Sequence, residues 1–403
     1  MKKRPRHPLF LISIGHGYND IFWLFLPLIL PLLKKEFELT YTQSGLLLTF
    51  YTFIIAIFSF ITGHLGDKYG KEKIISLGFF LTSAGFTLLV GFNSFAFILI
   101  LLGIAAVGVS TFHSLAPPLL NQRYRYKKGI IFGIFEAAGS AGIVLMMYLF
   151  GLVINLIEWR VISFLIALFG IPLAYFFYRT DYSDLPSTVE KSKIKYPPFI
   201  LTTFFTARTL RTLGMIGVVS FVPLFIVDTL NLSIQTASYF SGLIFTGGVI
   251  GSLITGWLSD KNHPLSIIAA LLLIVLPAIL FITFSLPLLL TVLLLFLVGI
   301  CHIGFFPPQN IWLSQASQHT IQGKIFGIGM SLDTMVTAIA PAVFGFLADR
   351  WGLRVSFRWT LLPLIIAAFL FLSTESRYTS EEEVHLESVR NVYTYLSSME
   401  QEL

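Results

Sequence analysis

Twelve runs of mostly apolar residues succeed one another along this chain. They lie at approximately 8 to 33, 43 to 65, 73 to 91, 95 to 119, 129 to 156, 160 to 178, 197 to 227, 236 to 258, 264 to 284, 287 to 313, 323 to 348 and 355 to 374. A helix needs roughly 20 apolar residues to cross a ~30 Å hydrocarbon core, about twice what a barrel strand uses. Inside lipid the backbone must satisfy its own hydrogen bonds, which a helix does within one segment. The reading is an all-α membrane protein with twelve transmembrane helices. Composition concurs, with 55% of the 403 residues hydrophobic and 12% charged, a balance that a water-facing surface does not sustain. The first run follows MKKRPRHP and imitates a signal peptide, but it is too long, lacks a small-residue cleavage site and contains Asp20. It is read as a retained first helix.

A Gly-x-Leu/Val pattern ends four of these runs, at Gly63, Gly151, Gly256 and Gly345. Gly63 and Gly256 are 193 residues apart, and Gly151 and Gly345 are 194 apart, so the first half is restated in the second. The expected organisation is a six-helix bundle over residues 1–180, a cytoplasmic linker over 181–196, a second six-helix bundle over 197–374 and a cytoplasmic tail over 375–403. In the tail, Ser380 and Glu383 form a capping box ahead of Leu386, Val389, Tyr393 and Leu396, the pattern of a short amphipathic helix.

Positive residues are retained on the cytoplasmic side of a membrane. The N-terminus carries Lys2, Lys3, Arg4 and Arg6, and the stretch after the fourth run carries Arg123, Arg125, Lys127 and Lys128. Both termini are therefore expected in the cytoplasm of a plasma-membrane (inner-membrane) protein. This asymmetry accounts for the basic pI of about 9.2, so no nucleic-acid partner is inferred; contact with anionic lipid is the more modest reading. The single cysteine, Cys301, excludes an intrachain disulfide and a cysteine-based metal site. No G-x-x-x-x-G-K-[ST] phosphate loop occurs, which removes self-contained ATP-driven transport. No cofactor and no metal is expected.

The segment GHLGDKYGKEK supplies Gly63, Leu65, Asp67, Gly70, Lys71 and Lys73, and Gly256, Leu258, Asp260 and Lys261 repeat part of it half a chain later. These two copies, with two six-helix halves, resemble the major facilitator superfamily of secondary transporters. GHGYND from Gly15 and TFHSLAPP from Thr111 are similar to the fosmidomycin-resistance branch of efflux proteins, with Ser114 where that branch has proline. The resemblance implies alternating access by a monomer. It also implies a gate motif of Gly63, Asp67, Gly70, Lys71 and the second-copy Asp260, in which Asp67 faces the positive N-terminal end of the eleventh helix near Gly323 and Lys71 and Lys73 either steady that contact or bind lipid headgroups.

A charge at membrane depth costs about 2.5 to 3.5 kcal/mol on insertion scales and so needs a partner or an aqueous cavity. Asp20 lies about 18 Å into the first helix, near mid-depth, with His16 one turn away on the same face. An imidazole beside a carboxylate can hold and release a proton; the alternative is a polar pair, joined by Asn19, gluing helices together. Glu136 and His113 are further proton-site candidates in the same half, each with a packing role as its alternative. Arg208 and Arg211 lie about 15 and 20 Å into the seventh helix and suit a carboxylate, phosphate or phosphonate group, or an ion pair with Asp20. Asn19 and Asp333 complete the candidate solute site, Asp333 either binding solute or pairing with Arg211. The proline pairs at Pro117 and Pro307 are expected to bend their helices.

The reading is a proton-coupled exporter of a small anionic or drug-like organic solute, and not an enzyme. Its rivals are proton-symport uptake of an organic anion and, from another class, a non-transporting membrane sensor or lipid scramblase.

Overall fold

A computed structural model describes residues 8–124, 128–180, 198–284, 286–316 and 322–374. The expected linker over 181–196, the tail helix over 375–403, the cations Lys2 to Arg6, and Arg125 and Lys127 lie outside the described residues. In chain order the helices are α1 (Pro8–Glu36), α2 (Tyr41–Tyr69), α3 (Lys71–Leu88), α4 (Phe95–Arg123) and α5 (Lys128–Val153). Then come α6 in two pieces (Trp159–Ala167 and Gly170–Arg179) and α7 (Pro198–Leu224), prolonged by a π turn at Phe225–Thr229. They are followed by α8 (Ile234–Ser259), α9 (Pro264–Ile282), α10 in two pieces (Leu288–Ile303 and Phe306–Ala316), α11 (322–351) and α12 (353–374). The face at which Pro8 begins the first crossing is here the near face, and the one at which Glu36 ends it the far face.

Among the described residues, eleven helical stretches are long and apolar enough to cross a membrane, and the last, Ser331–Thr374, has 44 residues. At ~1.5 Å per residue that is about 66 Å, two crossings rather than one. Gly352 divides them: its φ of 77° lies in the left-handed region, where only glycine turns the chain without a Cβ penalty. Gly70, at φ 101°, does the same between α2 and α3. Other ends are set by side chains. Thr40 and Gln43 form a capping box at the start of α2, and Ser233 accepts from the Thr236 amide at the start of α8.

The two proline pairs do not behave alike, contrary to expectation. The helix α4 passes Pro117 and Pro118 as one uninterrupted helix, leaving the carbonyls of His113 and Ser114 without their i+4 amides. In α10 the helix breaks ahead of Pro307, between Ile303 and Phe306, so the prolines fall in a first turn, where a missing amide costs nothing.

Each half packs its own six helices, and the halves meet along α5 with α8 and α2 with α11. Small residues set the approach. A Cβ on Gly256 would stand 2.8 Å from the Gly129 carbonyl oxygen and 3.1 Å from the Gly133 Cα, and one on Gly45 would collide with the Pro341 carbonyl. Lipid gives no hydrophobic drive between helices, so close backbone contact of this kind holds them. The outward surface is correspondingly apolar: Phe60 is 79% exposed, Leu156 83% and Phe369 70%, a belt suited to hydrocarbon.

Candidate functional site

The first half gathers its polar groups around α1. Gly17 of α1 and Gly142 of α5 meet backbone to backbone, and this approach brings the Phe135 carbonyl to the buried His16, whose Nδ1–H donates to it at 2.7 Å. The His16 ring stacks on Phe135, 3.8 Å between centroids, and runs nearly parallel to Phe112, at 5.7 Å. Its Nε2 then faces Asp20 Oδ2 at 3.2 Å, while His113 Nε2 on α4 faces Asp20 Oδ1 at 2.9 Å. Gly139 completes the wall, since a Cβ there would strike Asp20 Oδ2 and stand 2.8 Å from His16 Cε1. Glu136 sits next to Phe135 on the same helix and couples electrostatically to His16 and Asp20.

These contacts count protons. His16 spends its Nδ1–H on a carbonyl, so the Nε2–Oδ2 contact sets two lone pairs against each other unless one proton lies between them. His113 supplies Oδ1 from Nε2–H. A proton on either atom of the His16–Asp20 contact would relieve it, and Asp20 is 17% and His113 22% exposed. The three side chains bring ligand atoms within 4.8 Å of one another. The two Asp20 oxygens face different imidazoles, with a hydrogen bond to His113 on one side and a charge contact to His16 on the other.

The second half repeats the layout with the opposite charge. Arg211 on α7 donates from Nη2 to His302 Nδ1 on α10 at 2.9 Å and to the His302 carbonyl, as Asp20 on α1 meets His113 on α4. Its guanidinium lies over the rings of Phe305 and Phe306, at 4.2 and 5.3 Å. Arg208 Nε donates to Asp333 Oδ2 at 2.6 Å, and Thr212 donates to Oδ1 at 3.3 Å. Two buried guanidinium groups therefore face one carboxylate. The arginines are not ion-paired with Asp20, and Asp333 is bonded to Arg208 rather than Arg211, because α7 turns Arg208 toward α11 and Arg211 toward α10. Asn19 is 1% exposed and its Nδ2 finds no hydrogen-bond acceptor among the described residues.

At both faces an acid from one half caps a helix of the other. On the near face Asp260, ending α8, accepts the amides of Gly129 and Ile130 at 3.1 and 3.2 Å, at the start of α5. On the far face Asp349, ending α11, accepts the amides of Tyr41 and Thr42 at 2.9 and 2.8 Å, at the start of α2. Beside it Asp228 takes the Tyr41 hydroxyl at 2.8 Å and the Lys34 ammonium at 3.3 Å, and Asn155 donates to Gln235 at 3.0 Å. Four unpaired amides and a positive dipole end make a helix start a natural seat for a carboxylate. The side chain of Asp67 and the start of α11 near Gly323 are outside what is described. Gly63 lies in open space, Gly70 joins α2 to α3, and Lys71 begins α3.

The far-face groups were not singled out in the sequence, although a signal exists. Each Gly-x-Leu/Val glycine is followed four residues on by an acid or its amide: Asp67, Asn155, Asp260 and Asp349. His302 lies just ahead of the Pro307 pair as His113 lies ahead of the Pro117 pair, but its contact with Arg211 carries no local pattern, because contacts between helices distant in sequence leave none.

Comparison with known proteins follows the same architecture. The chain is 22% identical over 375 residues to the fosmidomycin resistance protein of Escherichia coli, covering 90% of this chain and 91% of that one. It is 24% identical over 357 residues to the cis,cis-muconate transport protein of Acinetobacter baylyi, covering 81% and 83%. Its fold superposes with a TM-score of 0.74, at 16% identity, on a bacterial homolog of the human lysosomal transporter Spinster in an inward-facing and occupied conformation, over 91% of this chain and 96% of that one. With the Major Facilitator Superfamily family model matching residues 12–341, the chain belongs to that superfamily of multi-pass membrane transporters for small solutes.

Proposed function

We propose that this transporter exports a small organic anion in exchange for protons, by rocking its two halves about the site between α1, α4, α7 and α10. The observation that carries the reading is the opposed charge of two matched clusters: an acid between two imidazoles in one half, and two guanidinium groups to one carboxylate in the other. A bound anion offsets the surplus positive charge of the second cluster and favours retention of the proton in the first. Loss of the shared proton sets Asp20 Oδ2 against the His16 Nε2 lone pair, so the triad must open. That opening is where proton release couples to helix movement, through α1, α4 and α5. Asp260 and Asp349 serve as the near-face and far-face locks, with Asp67 as the second near-face acid.

Likeness to a resistance protein supports export, and the count of cationic residues supports a cytoplasmic near face in a plasma membrane. Likeness to a muconate transport protein supports the second reading, uptake by proton symport. The protein reconstituted as a monomer into liposomes, with a proton gradient imposed in either direction, separates them. Export predicts that a labelled organic anion moves against the direction of proton flow, and symport that it moves with it. Flux indifferent to the gradient would remove proton coupling altogether and leave a facilitator or a non-transporting membrane protein.

A further inference from the structure

Away from the interface between the halves, α3 and α6 leave a groove of about 440 Å³ between them, lined by Lys73, Ser76, Leu77, Phe80, Ile171, Ala174, Tyr175 and Tyr178. Its floor is closed to polar ligands, since the Ser76 hydroxyl is spent on the Ala174 carbonyl at 2.6 Å. Its walls are apolar and open outward, with Leu77, Phe80, Ile171 and Tyr175 each about half exposed. Lys73 to Phe80 on one helix and Tyr178 to Ile171 on the other each span seven residues, roughly 10 Å. The groove therefore runs from the near face over most of one leaflet's ~15 Å share of the hydrocarbon. Only its near-face mouth is charged. Lys73 stands there on α3, and Arg179, the last residue of α6, holds its guanidinium 5.9 Å from the Tyr175 ring.

A groove on the lipid-facing surface cannot be left to water, and a void there forfeits the contacts of every wall atom. An acyl chain from the near-face leaflet is the filling that the surroundings supply. Two cations and two tyrosines at headgroup level add a second selection, for negative charge. We infer that the α3–α6 groove is a binding site for one anionic phospholipid, its chain lying against Leu77, Phe80 and Ile171 and its phosphate between Lys73 and Arg179. The inference is independent of what the transporter carries.

A basic residue at a membrane surface contributes about 1 kcal/mol toward anionic lipid, so two predict roughly thirtyfold preference for an anionic over a zwitterionic headgroup. Native mass spectrometry of the detergent-purified full chain, titrated with phosphatidylglycerol or phosphatidylcholine of matched chains, measures it. The expected result is tighter binding of one phosphatidylglycerol, reduced to the phosphatidylcholine level in the exposed-site variant Lys73→Gln/Arg179→Gln. Ile171→Trp, which fills the chain slot, should weaken both lipids alike and keep the preference. Equal affinity for the two lipids, or undiminished phosphatidylglycerol binding in the charge variant, overturns the site. Displacement of the lipid by glycerol phosphate at equal concentration would make it a free-anion site instead and would likewise overturn it.

Discussion

Asp349 reaches Thr42 across the two halves of the molecule, taking its amide at 2.8 Å and its hydroxyl at 2.5 Å. The other Asp349 oxygen takes the Tyr41 amide at 2.9 Å, and Thr40 caps the Gln43 amide within its own half at 3.2 Å. With the Thr40 amide taken by the Gln43 side chain at 2.9 Å, all four unpaired amides at the start of α2 are satisfied, two of them by the opposite half. Asp260 does the same for α5 on the near face with two amides. Each contact crosses between the halves, so separating the halves at that face would break it.

Asp349→Asn keeps the shape but loses the charge, so far-face opening should rise by about fivefold for a cap worth ~1 kcal/mol. Asp260→Asn should favour near-face opening instead. Spin labels at Glu38 and Asn231 would report the first as a longer far-face distance, and labels at Arg123 and Lys261 the second. Unchanged distance distributions in both variants would deny the acids a locking role.

Asparagine in place of Asp20 can accept from His113 with its oxygen and donate to His16 Nε2 with its amide, filling the place of the shared proton permanently. Asp20→Asn should therefore abolish gradient-driven flux while leaving solute exchange in liposomes without a gradient. Gradient-driven flux at the parent rate would take Asp20 out of the proton path.

Arg211 donates twice to His302 and lies over two phenylalanine faces. Arg211→Lys keeps the charge but not the planar fork. Loss of one charge-assisted hydrogen bond, at about 1.5–3 kcal/mol, predicts a KM for an anionic solute raised roughly tenfold to a hundredfold. Transport of a neutral solute should change little, and an equal rise for both would refute an anion-binding role.

The apolar helices and the distances of Asp20, His16, Arg208 and Arg211 from their helix starts were legible because they are local properties. His16 and Asp20 were legible as a pair, being one turn apart on one helix. Partners on other helices were not. Nothing local in the sequence tells that Arg211 turns to His302 and Arg208 to Asp333, or that the Phe135 carbonyl fixes the His16 proton. The far-face acids fall between these cases: their fixed offset from glycine is visible, but its meaning depends on which helix begins opposite.

The glycines of the repeated motif make a final test, because they are alike in sequence and unlike in place. A Cβ on Gly256 meets backbone atoms at 2.8 and 3.1 Å, which cannot swing aside as a side chain would. Gly256→Ala should cost about 1–3 kcal/mol by overpacking, seen as a lowered Tm. At Gly63 no atom of the described residues lies within 4 Å, so Gly63→Ala should leave Tm unchanged. If α2 closes on α11 at Gly63 when the near face shuts, as α8 closes on α5 at Gly256, the same methyl group obstructs that state alone. Gly63→Ala should then slow transport severalfold at full stability, and parent-like rates in liposomes would show that α2 and α11 never approach there.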